Sequence, residues 1–150
     1  MKKIIILLLT IFLSNSISNA TCWEQYSTKM FIDTDSIEYY VDDYGRTNPE
    51  QYTFWIKYLN DGSSLFTSYE TYSHKKVWYM LIKMIVNLQT KRIADKSSMF
   101  YDTKNNLIFN SETPDYSLEW QSIAPQTRGE DFYYMILELN KQSNNKTIQH

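Results

Sequence analysis

Residues 77–88 read VWYMLIKMIVNL, and every second side chain from Trp78 onward is apolar: Trp78, Met80, Ile82, Met84, Val86 and Leu88. Lys83, Asn87 and Gln89 occupy alternate positions. Successive side chains of a strand point to opposite faces, so this spacing puts one apolar face on a core. The segment is also long enough for a helix, and Met, Leu and Lys favour one. The alternation favours the strand, with the helix as the competing reading. A strand this long needs neighbours on both sides, so the segment demands a sheet.

The rest of the chain supplies them. Residues 23–32 and 37–41 read as strands. So do residues 51–59, where Tyr52, Phe54, Ile56 and Tyr58 share one face. Residues 90–99, continued by Phe100 and Tyr101, and residues 107–109 complete a set of about six strands. Clusters of turn formers separate them: Asp33 to Ser36, Asp42 to Gly45 with Asn48 and Pro49 beyond, and Asp102 to Asn106. Asn60-Asp61-Gly62 is the best hairpin signal. Residues 63–72 read as a polar strand or a loop. Three glycines, none clustered, exclude a glycine-rich phosphate loop.

One helix is expected, over about residues 128–140. Pro125 keeps it from starting earlier. Thr127 and Glu130 have capping-box spacing, with the Thr127 hydroxyl expected on the Glu130 amide and the Glu130 carboxylate on the Thr127 amide. Phe132, Met135, Ile136 and Leu139 form an apolar stripe. Trp120 and Ile123 are expected to pack beneath it. Residues 141–150 are polar and expected to be disordered. The fold class is therefore α+β: an antiparallel β-sheet of about six strands with a C-terminal α-helix packed on it.

Residues 1–20 are of a different kind. Lys2 and Lys3 precede an apolar run, and Ser18-Asn19-Ala20 offers small residues for cleavage between Ala20 and Thr21. This is the pattern of a signal peptide, and the run is about half the roughly 20 residues that span a bilayer. A second reading makes Cys22 the lipid-bearing first residue of a lipoprotein, although Asn19-Ala20-Thr21 fits that site poorly. The expected organisation is a signal peptide over residues 1–20, one domain over residues 21–140, and a tail. The expected location is secreted, periplasmic or on the outer cell surface, with no transmembrane helix in the mature chain.

Without Lys2 and Lys3, thirteen basic residues face seventeen acidic ones, a formal net charge of −4. That balance argues against nucleic acid, whose phosphates demand a basic surface. A single cysteine allows no internal disulfide.

Several segments in order resemble the bacterial surface-adhesin protein E family. They are Trp23; Phe31-Ile32-Asp33 followed by Ser36-Ile37; Phe54-Trp55-Ile56-Lys57; the basic strand leading into Tyr101-Asp102; and Trp120, Ile123, Pro125, Thr127 and Glu130 at their spacing. The resemblance runs from Trp23 to about Leu139. It implies an antiparallel sheet with a C-terminal helix, an envelope or secreted location, and adhesion to host extracellular-matrix or serum proteins, and it leaves a homodimer open. Many relatives carry a cysteine near Asn87-Leu88 and another around residues 137–139. Leucines stand in both regions here, so the helix is expected to be held by packing alone.

No catalytic constellation, cofactor motif or metal motif emerges. His74 lacks a partner for a triad or a zinc site. Asp33 with Asp35, and Asp42 with Asp43, lack the remaining ligands of a calcium loop and read as turn residues. Trp55 and Trp120 read as core. Tyr72, Lys75, Lys76, Trp78 and Tyr79 form a candidate aromatic-basic partner patch. The competing reading has one strand face buried, with lysines guarding its entry. The expected function is a non-enzymatic exported binding module. The alternatives are a periplasmic structural or stress-related domain of unknown ligand and, less favoured, a hydrolase.

Overall fold

The computed structural model describes residues 22–147, so the expected signal peptide and its cleavage point at Ala20 and Thr21 lie outside the described residues. Six strands form an antiparallel meander: β1 Trp23–Ser27, β2 Met30–Val41, β3 Thr47–Leu59, β4 Tyr79–Asn87, β5 Arg92–Tyr101 and β6 Leu107–Glu112. Each pairs with its neighbours in sequence. A two-residue strand, β7 Gln121–Ser122, pairs with β5. Helix α1, Ser64–Ser73, joins β3 to β4, and helix α2, Arg128–Thr147, closes the chain. The α+β class read from the sequence is the fold observed.

Both helices cover the same face of the sheet. Beneath α2 lies a core that includes Met30, Ile32, Phe54, Ile56 and Val86 from the strands and Phe132, Tyr133 and Ile136 from the helix. Phe54, Ile56 and Ile136 are fully buried, and each such side chain contributes roughly 1.5–3 kcal/mol before entropy. The Phe132 ring meets Phe54 edge-on at 5.5 Å. The Tyr133 hydroxyl donates to the Leu88 carbonyl at 3.3 Å. Leu88 and Leu137 belong to this one cluster, so packing ties the end of β4 to the helix. A second cluster, Phe66, Val77, Met80 and Phe100, lies under α1.

The alternation at 77–88 does mark a strand, but its ends shift. Leu88 falls past β4 yet stays buried, its N–H bonded to the Glu50 carbonyl at 2.8 Å. Trp78 precedes the strand and is 52% exposed instead of buried.

Three expected turns and strands are corrected. Residues 23–32 form two strands, because Ser27 pairs with Met30 across a two-residue turn. Asp33 to Ser36 is an irregularity inside β2, not a turn between strands. There the Ser36 hydroxyl donates to the Asp33 carbonyl at 2.6 Å and accepts the Trp55 N–H at 2.9 Å, standing in for a backbone partner where the register shifts. Asn60-Asp61-Gly62 does turn, with Gly62 at φ +78, but it opens α1 instead of a hairpin.

Residues 63–72 therefore form most of a helix where a strand or loop was expected. The segment is rich in Ser, Thr and Tyr, which are weak helix formers. Phe66 is its one buried residue. Glu70 anchors the far end, accepting the Val77 N–H at 3.0 Å and an Asn60 amide N–H at 3.2 Å.

Helix α2 runs to Thr147, past the expected end near residue 140, and takes in most of the expected disordered tail. No Gly or Pro interrupts residues 141–147. Lys141 pairs with Glu138 at 3.2 Å one turn back, a spacing that supports a helix. Leu139, expected in the apolar stripe, is 40% exposed.

The helix start differs in its bonds from the expected capping box. The Thr127 hydroxyl donates to the Ala124 carbonyl at 2.7 Å, and the Glu130 amide bonds the Thr127 backbone carbonyl. The Glu130 carboxylate accepts the Gln126 N–H at 2.8 Å, one residue earlier than expected. Gln126 adopts φ +60, which swings its N–H back into the helix mouth. Pro125, just before it, stands outside the helix as expected.

Candidate functional site

Register and alternation leave one sheet face without a helix. On it, Trp55 lies opposite Asp33 and Lys83, Lys57 opposite Phe31 and Leu81, and Tyr79 opposite Leu59 and Tyr101. Trp23 joins them from β1, where it pairs with Asp33. These side chains are half-buried, apart from Asp33, which is buried.

Their contacts form two aromatic-cationic groups, Trp23–Lys57–Tyr79–Tyr101 and Trp55–Lys83, which strand register sets side by side in one row. The Lys57 ammonium stands 4.4 Å from the Tyr79 ring centroid and 5.9 Å from that of Trp23. Lys83 stands 5.9 Å from the Trp55 ring. Tyr79 and Tyr101 stack at 4.9 Å with 12° between their planes. Rings hold each ammonium by their negative faces while its remaining N–H donors stay available to solvent or a partner. Burial raises the Tyr79 hydroxyl above its ordinary pKa, so the ring is neutral and faces Lys57 as a phenol.

Between Trp23 and Trp55, Asp33 is a buried carboxylate, and its Oδ1 has no hydrogen-bond partner among the described residues. Burial pushes its carboxyl pKa up, against backbone N–H bonds from Asp35 and Ser36 that favour the charge.

The other end of this face is closed by a clasp. Lys96, buried on β5, bonds Asp43 Oδ1 at 2.7 Å and Asp115 Oδ1 at 2.9 Å. The Tyr40 hydroxyl donates to Asp115. Asp43 and Asp115 each accept the other's backbone N–H, at 2.8 and 2.6 Å. Burial works against the Lys96 charge, but the two carboxylates more than offset it and raise the ammonium pKa. Lys96 in turn holds Asp43 below its ordinary value. Burial would raise Asp115, yet bonds from Tyr40, Asp43 and Lys96 leave it lowered. Each charge is met inside the cluster. Chemically it is a strap that fastens the β2–β3 turn to the short 3-10 turn Asp115–Ser117.

The candidate patch read from the sequence is divided. Tyr72 stands 76% exposed on α1, and Lys75 and Lys76 lie in the loop after it, Lys76 3.6 Å from Glu70. His74 ends α1 in the left-handed conformation and is a loop residue. Trp78 is exposed at the sheet's end, and only Tyr79 joins the row. Trp55 and Trp120, read as core, belong to neither core cluster, nor do the other two tryptophans. Trp120 is half-buried, and its carbonyl accepts an Arg92 N–H at 2.8 Å. Ile123 does pack against the α2 core.

Lys57 and Lys83 escaped the sequence reading, although a signal was there. The odd positions of residues 51–59 and 77–88 hold Trp55, Lys57, Tyr79, Leu81 and Lys83, a second face as patterned as the apolar one.

Among the described residues, no group of three or more His, Cys, Asp or Glu side chains is placed to hold a metal ion. No described helix is long and apolar enough to cross a membrane.

No family model and no curated protein sequence matches the chain. Solved structures similar to it include Haemophilus influenzae protein E, at 15% identity over 76% of this chain and 82% of that one, with a TM-score of 0.49. Protein E from non-typeable Haemophilus influenzae aligns at 16% identity over 75% and 72%, with a TM-score of 0.49. Crystal form II of Haemophilus influenzae protein E aligns at 16% over 72% and 79%, with a TM-score of 0.46. The likeness is at the level of fold.

Proposed function

We propose that the chain is an exported, non-enzymatic binding module whose helix-free sheet face receives a protein partner. The observation that carries this reading is the row of Trp23, Trp55, Lys57, Tyr79, Lys83 and Tyr101, left half-open on one side of the sheet. Aromatic side chains dominate binding hot spots because they bury much area at little entropic cost. Two lysines on an otherwise acidic chain suit a partner segment that presents carboxylates among apolar side chains. Host extracellular-matrix and serum proteins are the partner class to test, with the protein secreted or held at the outer surface. The clasp around Lys96 holds the rim of this face in place and does no chemistry.

The test is saturation binding of the mature chain, residues 21–150, to a panel of matrix and serum proteins. The expected result is at least one saturable partner whose binding is lost in the Trp55→Ala/Lys57→Ala variant, with the fold intact by circular dichroism. Absence of any saturable partner, with the chain fractionating to the periplasm, would replace this reading with that of a periplasmic structural domain.

A further inference from the structure

A second surface of opposite character runs along the flank of α2, on the other side of the sheet. Two open depressions meet there. One, of about 340 Å³, has Ile37, Tyr39, Tyr52, Ile136 and Leu139 among its lining residues. The other, of about 470 Å³, is lined in part by Met135 and again by Leu139. Thr34 and Leu139 line both, so the two form one groove between β2 and the helix. Its apolar floor is open to solvent, with Tyr39 50% and Leu139 40% exposed.

Carboxylates border this floor. Glu38 lines the first depression, and Glu24, Asp35 and Glu138 the second. No lysine or arginine is among the described lining residues. Lys141 reaches Glu138 at 3.2 Å from outside the groove, in a pair that is mostly exposed.

We propose that this groove takes a cationic amphipathic peptide segment of another protein. Its apolar side chains would lie on the floor, and its Lys or Arg side chains would meet the carboxylates. A neutral apolar occupant would strip water from those carboxylates without replacing it. An anionic one would be repelled. An amphipathic segment laid in an apolar groove satisfies the floor and the rim together. The groove shares none of the row residues, so this inference does not depend on the reading of the helix-free face.

The test titrates the mature chain into a fluorescein-labelled synthetic peptide of leucine and lysine in amphipathic order, followed by anisotropy, with the leucine-glutamate counterpart as control. The expected result is saturable binding of the lysine peptide only, weakening as salt screens the charges. The Glu24→Gln/Asp35→Asn/Glu138→Gln variant should bind about tenfold more weakly, a loss of ~1.4 kcal/mol. Leu139→Ser, at an already exposed position, should weaken binding separately. A charge-matched variant away from the groove, Asp61→Asn/Glu112→Gln/Glu119→Gln, should keep the original affinity. Equal loss in both triple variants would mean that net charge alone attracts the peptide and would overturn the proposal. So would binding of the glutamate peptide, or no saturable binding. If the first triple variant fails to fold, Glu138→Gln and Leu139→Ser decide the matter.

Discussion

The Lys57 ammonium lies 4.4 Å from the centre of the Tyr79 ring, across two neighbouring strands of a sheet face that no helix covers. The contact needs only that an odd position of β3 and an odd position of β4 meet on that face. At a half-exposed site it contributes about 0.5–1 kcal/mol. The pair matters more as surface chemistry than as stability.

Lys57→Gln combined with Lys83→Gln removes the ring contacts of both ammoniums and should change folding stability by no more than about 1–2 kcal/mol. The same variant should weaken any partner captured by this face and flatten the salt dependence of that binding. Urea unfolding and binding at two ionic strengths check both halves. A large stability loss would show that the lysines are structural.

Lys96→Met should cost about 3 kcal/mol, the order seen when a buried ion pair loses one member. Asp43 and Asp115 would then face each other without their cation. The clasp also sets an acid limit. Both carboxyls are lowered from their ordinary 3.8, so their stabilisation is full above that value and is lost as pH falls through their folded values. Wild type should lose this part of its stability below about pH 4, and Lys96→Met should show a shallower fall there. Urea midpoints from pH 7 to pH 2.5 test this.

Asp33→Asn should stabilise the protein at pH 7. Burial raises the Asp33 carboxyl, so the folded state favours its neutral form and keeping it charged costs stability. That cost is present at neutral pH and shrinks as pH falls through the raised value towards 3.8. The advantage of the asparagine should shrink in the same window. Equal stability of the two proteins at pH 7 would show that the charge is met.

Glu130→Ala should lower stability by about 1 kcal/mol through loss of the bond to the Gln126 N–H and of negative charge at the helix start. Thr127→Ala should cost less, since its hydroxyl bonds the Ala124 carbonyl and no helix N–H. Thermal melts of both give the order. A larger loss at Thr127 would restore the reciprocal box expected from the sequence.

The sheet was legible where one face is strictly apolar. Tyr52, Phe54 and Ile56, and Met80, Ile82, Met84, Val86 and Leu88, alternate without a break, and all are buried except Ile82 and Met84, which are half-buried. Helix α1 was not legible. Its Ser, Thr and Tyr residues prefer other states, and it forms because Phe66 reaches a pocket made by Val77, Met80 and Phe100 and because Glu70 anchors the returning chain. The aromatic-basic patch was half legible. Tyr79 was identified, but its partners lie 22 residues away at Lys57 and at Tyr101, and only register brings them together.

The sequence by itself determined the α+β class, the strand at the sheet's centre and the site of the final helix, because alternation and proline act over neighbouring residues. Tertiary structure decided which side of the sheet stays open. Both helices need the same apolar face, and once they cover it Trp23, Trp55, Lys57 and Tyr79 are left together on the other. It also decided that Lys96 is buried, because its two carboxylates come from turns 53 residues before it and 19 after, and charge survives burial only where such partners converge.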